Sequence, residues 1–250
     1  MGLFTAVFAA CVAGAVNSVA GGGTLLTFPA LVWVGVPALT ANATNTVALW
    51  PGAVGSVWGY RRELLATDRR VFALVVPSLL GGLAGAVLLH VTPPSVFERL
   101  VPWLILFATC IFLFQEPIQK RFDLRDAHEA RSHWLSWTML FQFAVGVYGG
   151  YFGAGIGILM LAALSLIGHT DIHQMNGVKC LLAGAVNGIA ALYFSLAGLV
   201  VWPYALLMAG GAILGGIVGS GLARRVGRTA VRRIVLVSGF GMAIYSFFVQ

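Results

Sequence analysis

The chain has 250 residues, 59% hydrophobic and only 9% charged, with a mean hydropathy of +0.92. Ordinary soluble domains carry about 25% charged residues, so a water-soluble globule is excluded and a membrane protein is expected. The net charge of +7 comes from arginines in short segments between apolar runs, which reads as membrane topology and not as a nucleic-acid surface. The charge-free runs 1–60, 71–97, 134–170 and 180–223 all exceed the roughly 20 residues that cross a bilayer. No basic region opens the chain, so a cleaved signal peptide is not expected. Cys11, Cys110 and Cys180 stand singly in apolar segments and suggest neither a disulfide framework nor a zinc site.

Two apolar segments, 3–16 and 25–36, flank the polar, glycine-rich stretch Asn17-Ser18-Val19-Ala20-Gly21-Gly22-Gly23-Thr24. Three glycines cost roughly 1 kcal/mol each relative to Ala in a helix interior, so the helix is predicted to stop and restart there. At 1.5 Å per residue each segment spans on the order of 20 Å, which suits a re-entrant hairpin better than two full spans. Full spans follow at 40–60, 71–90 and 96–114. A basic loop with Arg61, Arg62, Arg69 and Arg70 separates the first two. The segment 115–133 alone is strongly charged and reads as a solvated connection.

The pattern then recurs. Segments 135–148 and 157–167 flank a second break, Gly149-Gly150-Tyr151-Phe152-Gly153-Ala154-Gly155, and spans follow at 172–196, 202–222 and 234–249. A shift of 132 residues carries Gly14 onto Gly146, Gly21 onto Gly153 and Gly23 onto Gly155; a shift of 133 carries Gly55 onto Gly188 and Tyr60 onto Tyr193. Two structural repeats are therefore expected, 1–114 and 135–250, joined by a charged linker at 115–134. In the first half the basic loop follows the first full span, and in the second it follows the second, with Arg224, Arg225, Arg228, Arg232 and Arg233. Basic loops stay cytoplasmic, and each repeat crosses three times if its hairpin enters and leaves on one face. The repeats are then inverted, with both termini outside. The fold class expected is an all-α polytopic membrane protein.

Broken helices inside a membrane mark the binding sites of secondary transporters, because half-helix N-termini present unpaired N–H groups and a positive dipole end. Asn17, Ser18, Gly21, Gly22, Gly23 and Thr24 are therefore candidate substrate contacts, and Gly153 and Gly155 are their counterparts in the second break. Lys179 is the one Lys or Arg well inside a predicted span, about 11 Å from the helix start if Asp171 caps it and Gln174 completes a capping box. A centred lysine costs roughly 2.5–3.5 kcal/mol to insert, so it should face a cavity or a partner. Asn176, Lys179, Ala183 and Asn187 fall on one narrow helix face, as do Asn42, Asn45, Thr46, Ala53 and Ser56 in the first half. Snorkelling of Lys179, helix-to-helix glue by the asparagines and close packing at the glycines explain the same residues without a ligand. His169, Asp171 and His173 fit helix capping better than a metal site. No Ser–His–acid set, paired carboxylate or phosphate-loop lysine is present in the spans, so neither catalysis nor a cofactor is expected.

The strings Gly14-Ala15-Val16-Asn17-Ser18-Val19-Ala20-Gly21-Gly22-Gly23, Pro29-Ala30-Leu31, Gly35-Val36, Ala41-Asn42-Ala43-Thr44-Asn45 and Gly59-Tyr60-Arg61 resemble the TauE/SafE sulfite-exporter family. Asn176-Gly177-Val178-Lys179 followed by Asn187 resembles that family's second-half motif. The resemblance implies an inverted-repeat permease of the cell (inner) membrane that moves sulfite, sulfonates or related organic anions. A departure is the second break, where Gly-Ala-Gly-Ile-Gly replaces a run of three glycines. The expected partners are a small anion and the lipid bilayer, with self-association left open. A passive anion channel and a non-transporting membrane subunit are the alternatives.

Overall fold

The computed structural model describes residues 2–19, 22–114, 134–166, 172–226 and 228–249, and no strand occurs among them. The helices are α1 (Gly2–Val19), α2 (Thr24–Trp33), α3 (Ala38–Gly59), the short α4 (Arg61–Leu65), a 3-10 turn (Arg69–Leu74), α5 (Val75–Val91) and α6 (Pro94–Leu113). The second half contributes α7 (Trp134–Tyr151), α8 (Ile156–Leu166), α9 (Ile172–Leu196), α10 (Trp202–Val226) and α11 (Arg228–Val249). The stretches Val71–Val91, Pro94–Leu113 and Gln174–Leu196 are long and apolar enough to cross a bilayer. The linker 115–133, together with Gly21, His169 and Asp171, lies outside the described residues.

Three expectations change. The segments read as equal half-helices are unequal: α1 and α7 have 18 residues each, about 27 Å, while α2 and α8 have 10 and 11, about 15–17 Å. Gly149 and Gly150 do not break α7. A Cβ at Gly150 would run into the Gly82 carbonyl of α5, so that glycine permits close packing instead. The break is confined to residues 152–155, where Gly153 and Gly155 take φ of +81° and +78°; in the first break Gly22 takes +90°. Finally, the arginines predicted as a loop at 224–233 lie largely on helix, because α10 runs to Val226 and α11 starts at Arg228.

The sequence places small residues inward and large ones outward. On α1, Ala6, Ala10 and Ala13 are buried while Phe4 and Phe8 are exposed. Lipid gives apolar side chains no reason to leave it, so helices associate through small residues that let backbones approach. Trp58 sits at the edge of this apolar surface with the Arg61 guanidinium 5.1 Å from its ring centre, an arrangement suited to a membrane boundary beside a basic turn.

Each half lends its first helix to the other. α1 packs most extensively on α10, and α7 on α5. Gly14 lies against the Ala212 carbonyl and the Gly216 amide, while Gly146 lies against the Ser78 carbonyl and the Gly82 amide. These contacts coincide when α1 is shifted by 132 residues and α5 by 134. The same 134 carries Pro94, which opens α6, onto Arg228, which opens α11, and Ala38 of α3 onto Ile172 of α9. The sequence matches at 133 (Gly55 with Gly188, Tyr60 with Tyr193) are thus one residue out of structural register. The two extra residues enter between the start of α8 and the start of α9. α3 and α9 cross antiparallel, with Tyr60 beside Gly177 and the Trp50 indole N–H donating to the Gly184 carbonyl at 3.1 Å. Trp50 and Gly184 are equivalent in the 134 register.

Candidate substrate cavity

A cavity of about 650 Å³ opens where the two broken helices meet the α3–α9 crossing. Both breaks border it. Gly22 and Thr24 come from the start of α2, and Gly155, Ile156 and Gly157 from the start of α8. The first-turn N–H groups of a helix have no acceptor within it, and the aligned peptide dipoles add partial positive charge. Two helix starts therefore face one space; Leu25, Leu26 and Thr27 already donate to the Gly22 and Gly23 carbonyls and Ile158 to the Gly155 carbonyl, so the dipole ends and the remaining first-turn N–H groups are what they offer it.

Asn17 closes the first break. Its Oδ1 accepts the Gly23 N–H at 2.8 Å, and Thr27 Oγ1 donates to the Gly23 carbonyl at 3.0 Å. With Oδ1 so engaged, the Asn17 amide nitrogen is the donor it offers to the cavity. Gly23 itself is buried behind Asn17 and does not line the space. Substituting Gly22 would meet Phe112 at 3.0 Å as well as its positive φ, so this turn is fixed from two directions. Ser18 belongs to α1, but its side chain is outside the described set.

Lys179 reaches the cavity from α9. Its Nζ donates to Asn176 Oδ1 at 2.9 Å, and its stem lies over Gly157, where an added Cβ would come within 3.2 Å of Cδ. The Lys179 side chain is half-buried and lines the cavity beside the start of α8. Asn176 orients it without lining the space. Asn187 does line it, with Oδ1 near Gly153.

The α3 face divides. Ala53 and Ser56 border the cavity, together with Pro51, Gly52 and Gly55, which the sequence reading passed over. Their signal was available: a run of small residues after Pro51, at spacings that share one helix face. Asn42 and Asn45 do not reach the cavity. They are 1% and 2% exposed in the packed half of α3, and Asn42 Nδ2 donates to the Tyr151 carbonyl at 2.9 Å. Thr46 turns its hydroxyl back onto the Asn42 carbonyl at 3.0 Å. Phe112, which closes the cavity beneath Gly22, comes from α6 and carried no sequence signal. No group of three or more His, Cys, Asp or Glu that could hold a metal occurs among the described residues.

A charge-poor, all-helical chain with two broken helices around one cavity is a membrane transporter. Its sequence matches the family Sulfite exporter TauE/SafE over residues 6–246, and the chain belongs to that family. It is similar to a probable membrane transporter protein of Haemophilus influenzae, at 28% identity over 92% of this chain and 89% of the relative. It is also similar to the probable membrane transporter protein YfcA of Escherichia coli K12, at 26% identity over 92% and 84%. A third relative is the probable membrane transporter protein ORF9 of Sinorhizobium, at 28% identity over 97% and 90%. No solved structure matches the chain.

Proposed function

We propose that the protein moves small oxyanions, sulfite, sulfonates or related organic anions, by alternating access at the interface of two inverted repeats. The observation that carries this reading is the convergence of two helix N-termini and the side chains of Asn17 and Lys179 on one cavity. Such donors hold an anion with little formal charge, which suits a tetrahedral or trigonal oxyanion. The division at 115–134 into two repeats is supported by the exchange of α1 and α7 between the halves. Inversion is supported by the antiparallel crossing of the equivalent helices α3 and α9. It gains from α6 and α11, where Trp103 stacks edge-on against Phe247 and Gly239 abuts Thr109.

In this reading the Arg61 end is cytoplasmic and the Thr92 end is outside, with both termini outside in the cell membrane. The cavity then opens inward. The family and its relatives speak for transport and not for catalysis. Purified protein screened against sulfite, thiosulfate, sulfonates and short carboxylates should bind at least one of them saturably; binding to none would remove the anion reading. Single cysteines introduced on a cysteine-free background should label from the cytoplasm at 224–233 and from outside at 92–95. Outside labelling at 224–233 would remove the inversion.

A further inference from the structure

Asn42 and Asn45 are buried polar side chains on α3, 1% and 2% exposed, and the Oδ1 atoms of both find no hydrogen-bond donor among the described residues. The Asn42 amide is oriented by its bond to the Tyr151 carbonyl, which commits its nitrogen and leaves its oxygen as an acceptor. Buried acceptors in native proteins are satisfied by a protein group, a water or an ion. The repeat register shows which group holds the equivalent place. The 134-residue shift carries Asn42 onto Asn176 and Asn45 onto Lys179, and there the Lys179 ammonium donates to Asn176 Oδ1 at 2.9 Å. One repeat thus has a carbonyl oxygen with a covalently attached cation, and the other has two carbonyl oxygens three residues apart on the same helix.

We propose that Asn42 Oδ1 and Asn45 Oδ1 form a site for an alkali-metal cation, sodium or potassium, which takes in the first repeat the place of the Lys179 ammonium in the second. The donor set is hard and uncharged. The carboxylates among the described residues are Glu63, Asp68 and Glu98. Asp68 and Glu98 are exposed, and Glu63 belongs to α4 beyond the far end of α3. Neutral oxygens without a carboxylate suit a monovalent ion, not calcium or zinc. The carbonyl end of α7, tied to Asn42 at Tyr151, adds the partial negative charge of a helix C-terminus. Chain breaks and half-helix C-termini are where transporters hold coupling cations. The inference rests on the two-repeat reading and not on the identity of the anion.

Thermal unfolding of the purified protein without any anion substrate tests it. Sodium or potassium chloride should raise the melting temperature over choline chloride at matched ionic strength, and the rise should grow with the logarithm of cation concentration. A response to sodium alone or potassium alone identifies the ion. Asn45→Lys installs the arrangement of the second repeat, so it should melt in choline at or above the parent's alkali-cation value and lose the cation response. Asn45→Asp, which keeps the side-chain shape, should strengthen that response. Equal melting of the parent in all three salts would show that water satisfies the two oxygens and would overturn the site. So would an Asn45→Lys protein that still responds to the cation. Because chloride is common to all three salts and no substrate anion is present, failure here is separable from failure of the anion screen.

Discussion

Along α3, residues 38–48 are largely buried, whereas residues 49–59 are exposed or half-buried and border the cavity on one face. The first stretch is cross-linked to the other half of the chain. Asn42 holds the Tyr151 carbonyl, Thr44 Oγ1 accepts the Val201 N–H at 3.0 Å, and nearby His90 and Tyr193 hydrogen-bond at 2.8 Å. In the second stretch Trp50 holds the Gly184 carbonyl at the crossing, and beyond it Ser56 bonds only within its own helix, to the Gly52 carbonyl. One helix therefore serves as a packed seal at the Thr92 end and as a cavity wall at the Arg61 end. The difference lies in its neighbours, because both stretches carry small residues and both were read as one polar face.

The largest effect should come from filling the open stretch. A Cβ at Gly55 would meet nothing within 4 Å, and the residue has ordinary helical backbone. Gly55→Leu should therefore insert and melt like the parent while transport of the bound anion in liposomes falls to background. Retained flux would mean that the substrate does not pass this wall. Gly22→Leu is a poorer test, since its positive φ and the neighbouring Phe112 would compromise folding as well.

A smaller effect is expected from Lys179→Met, which keeps the stem over Gly157 and removes the charge. Losing a charge-assisted hydrogen bond is worth roughly 1.5–3 kcal/mol, or about ten- to a hundred-fold in anion affinity by titration calorimetry. Lys179→Arg should keep part of the binding and change the ranking among anions, because a planar fork presents its donors differently. Parental affinity in Lys179→Met would place the lysine among snorkelling residues and leave the helix ends to bind alone.

The smallest effect should fall on the sealed stretch and touch stability more than binding. Asn42→Leu leaves the Tyr151 carbonyl without this donor, which costs about 1–3 kcal/mol for a buried group. A melting temperature lower by several degrees with little change in anion affinity would sharpen the contrast between the two stretches. An affinity loss as large as that of Lys179→Met would erase it and bring Asn42 into the binding site.

The sequence alone indicated the membrane class, two helix breaks, the repeated order of elements and a lysine set well inside a span. Each follows from local chemistry: apolar runs of bilayer length, glycines that cannot sustain a helix, and a charge that lipid will not accept. Tertiary structure decided which glycines break a helix and which pack. Gly150 and Gly153 look alike in sequence, but Gly150 faces the backbone of α5, whereas Gly153 takes a positive φ and meets no backbone except the Gly149 carbonyl of the turn before it. It also decided that the starts of α2 and α8, 132 residues apart, share one cavity, and that Asn42 and Asn45 lie behind the seal while Gly52 and Gly55 face the open space. Helical periodicity specifies the face a residue occupies but not what stands opposite that face. On a 22-residue helix crossing a partner at Trp50, the same face meets different neighbours on either side of the crossing.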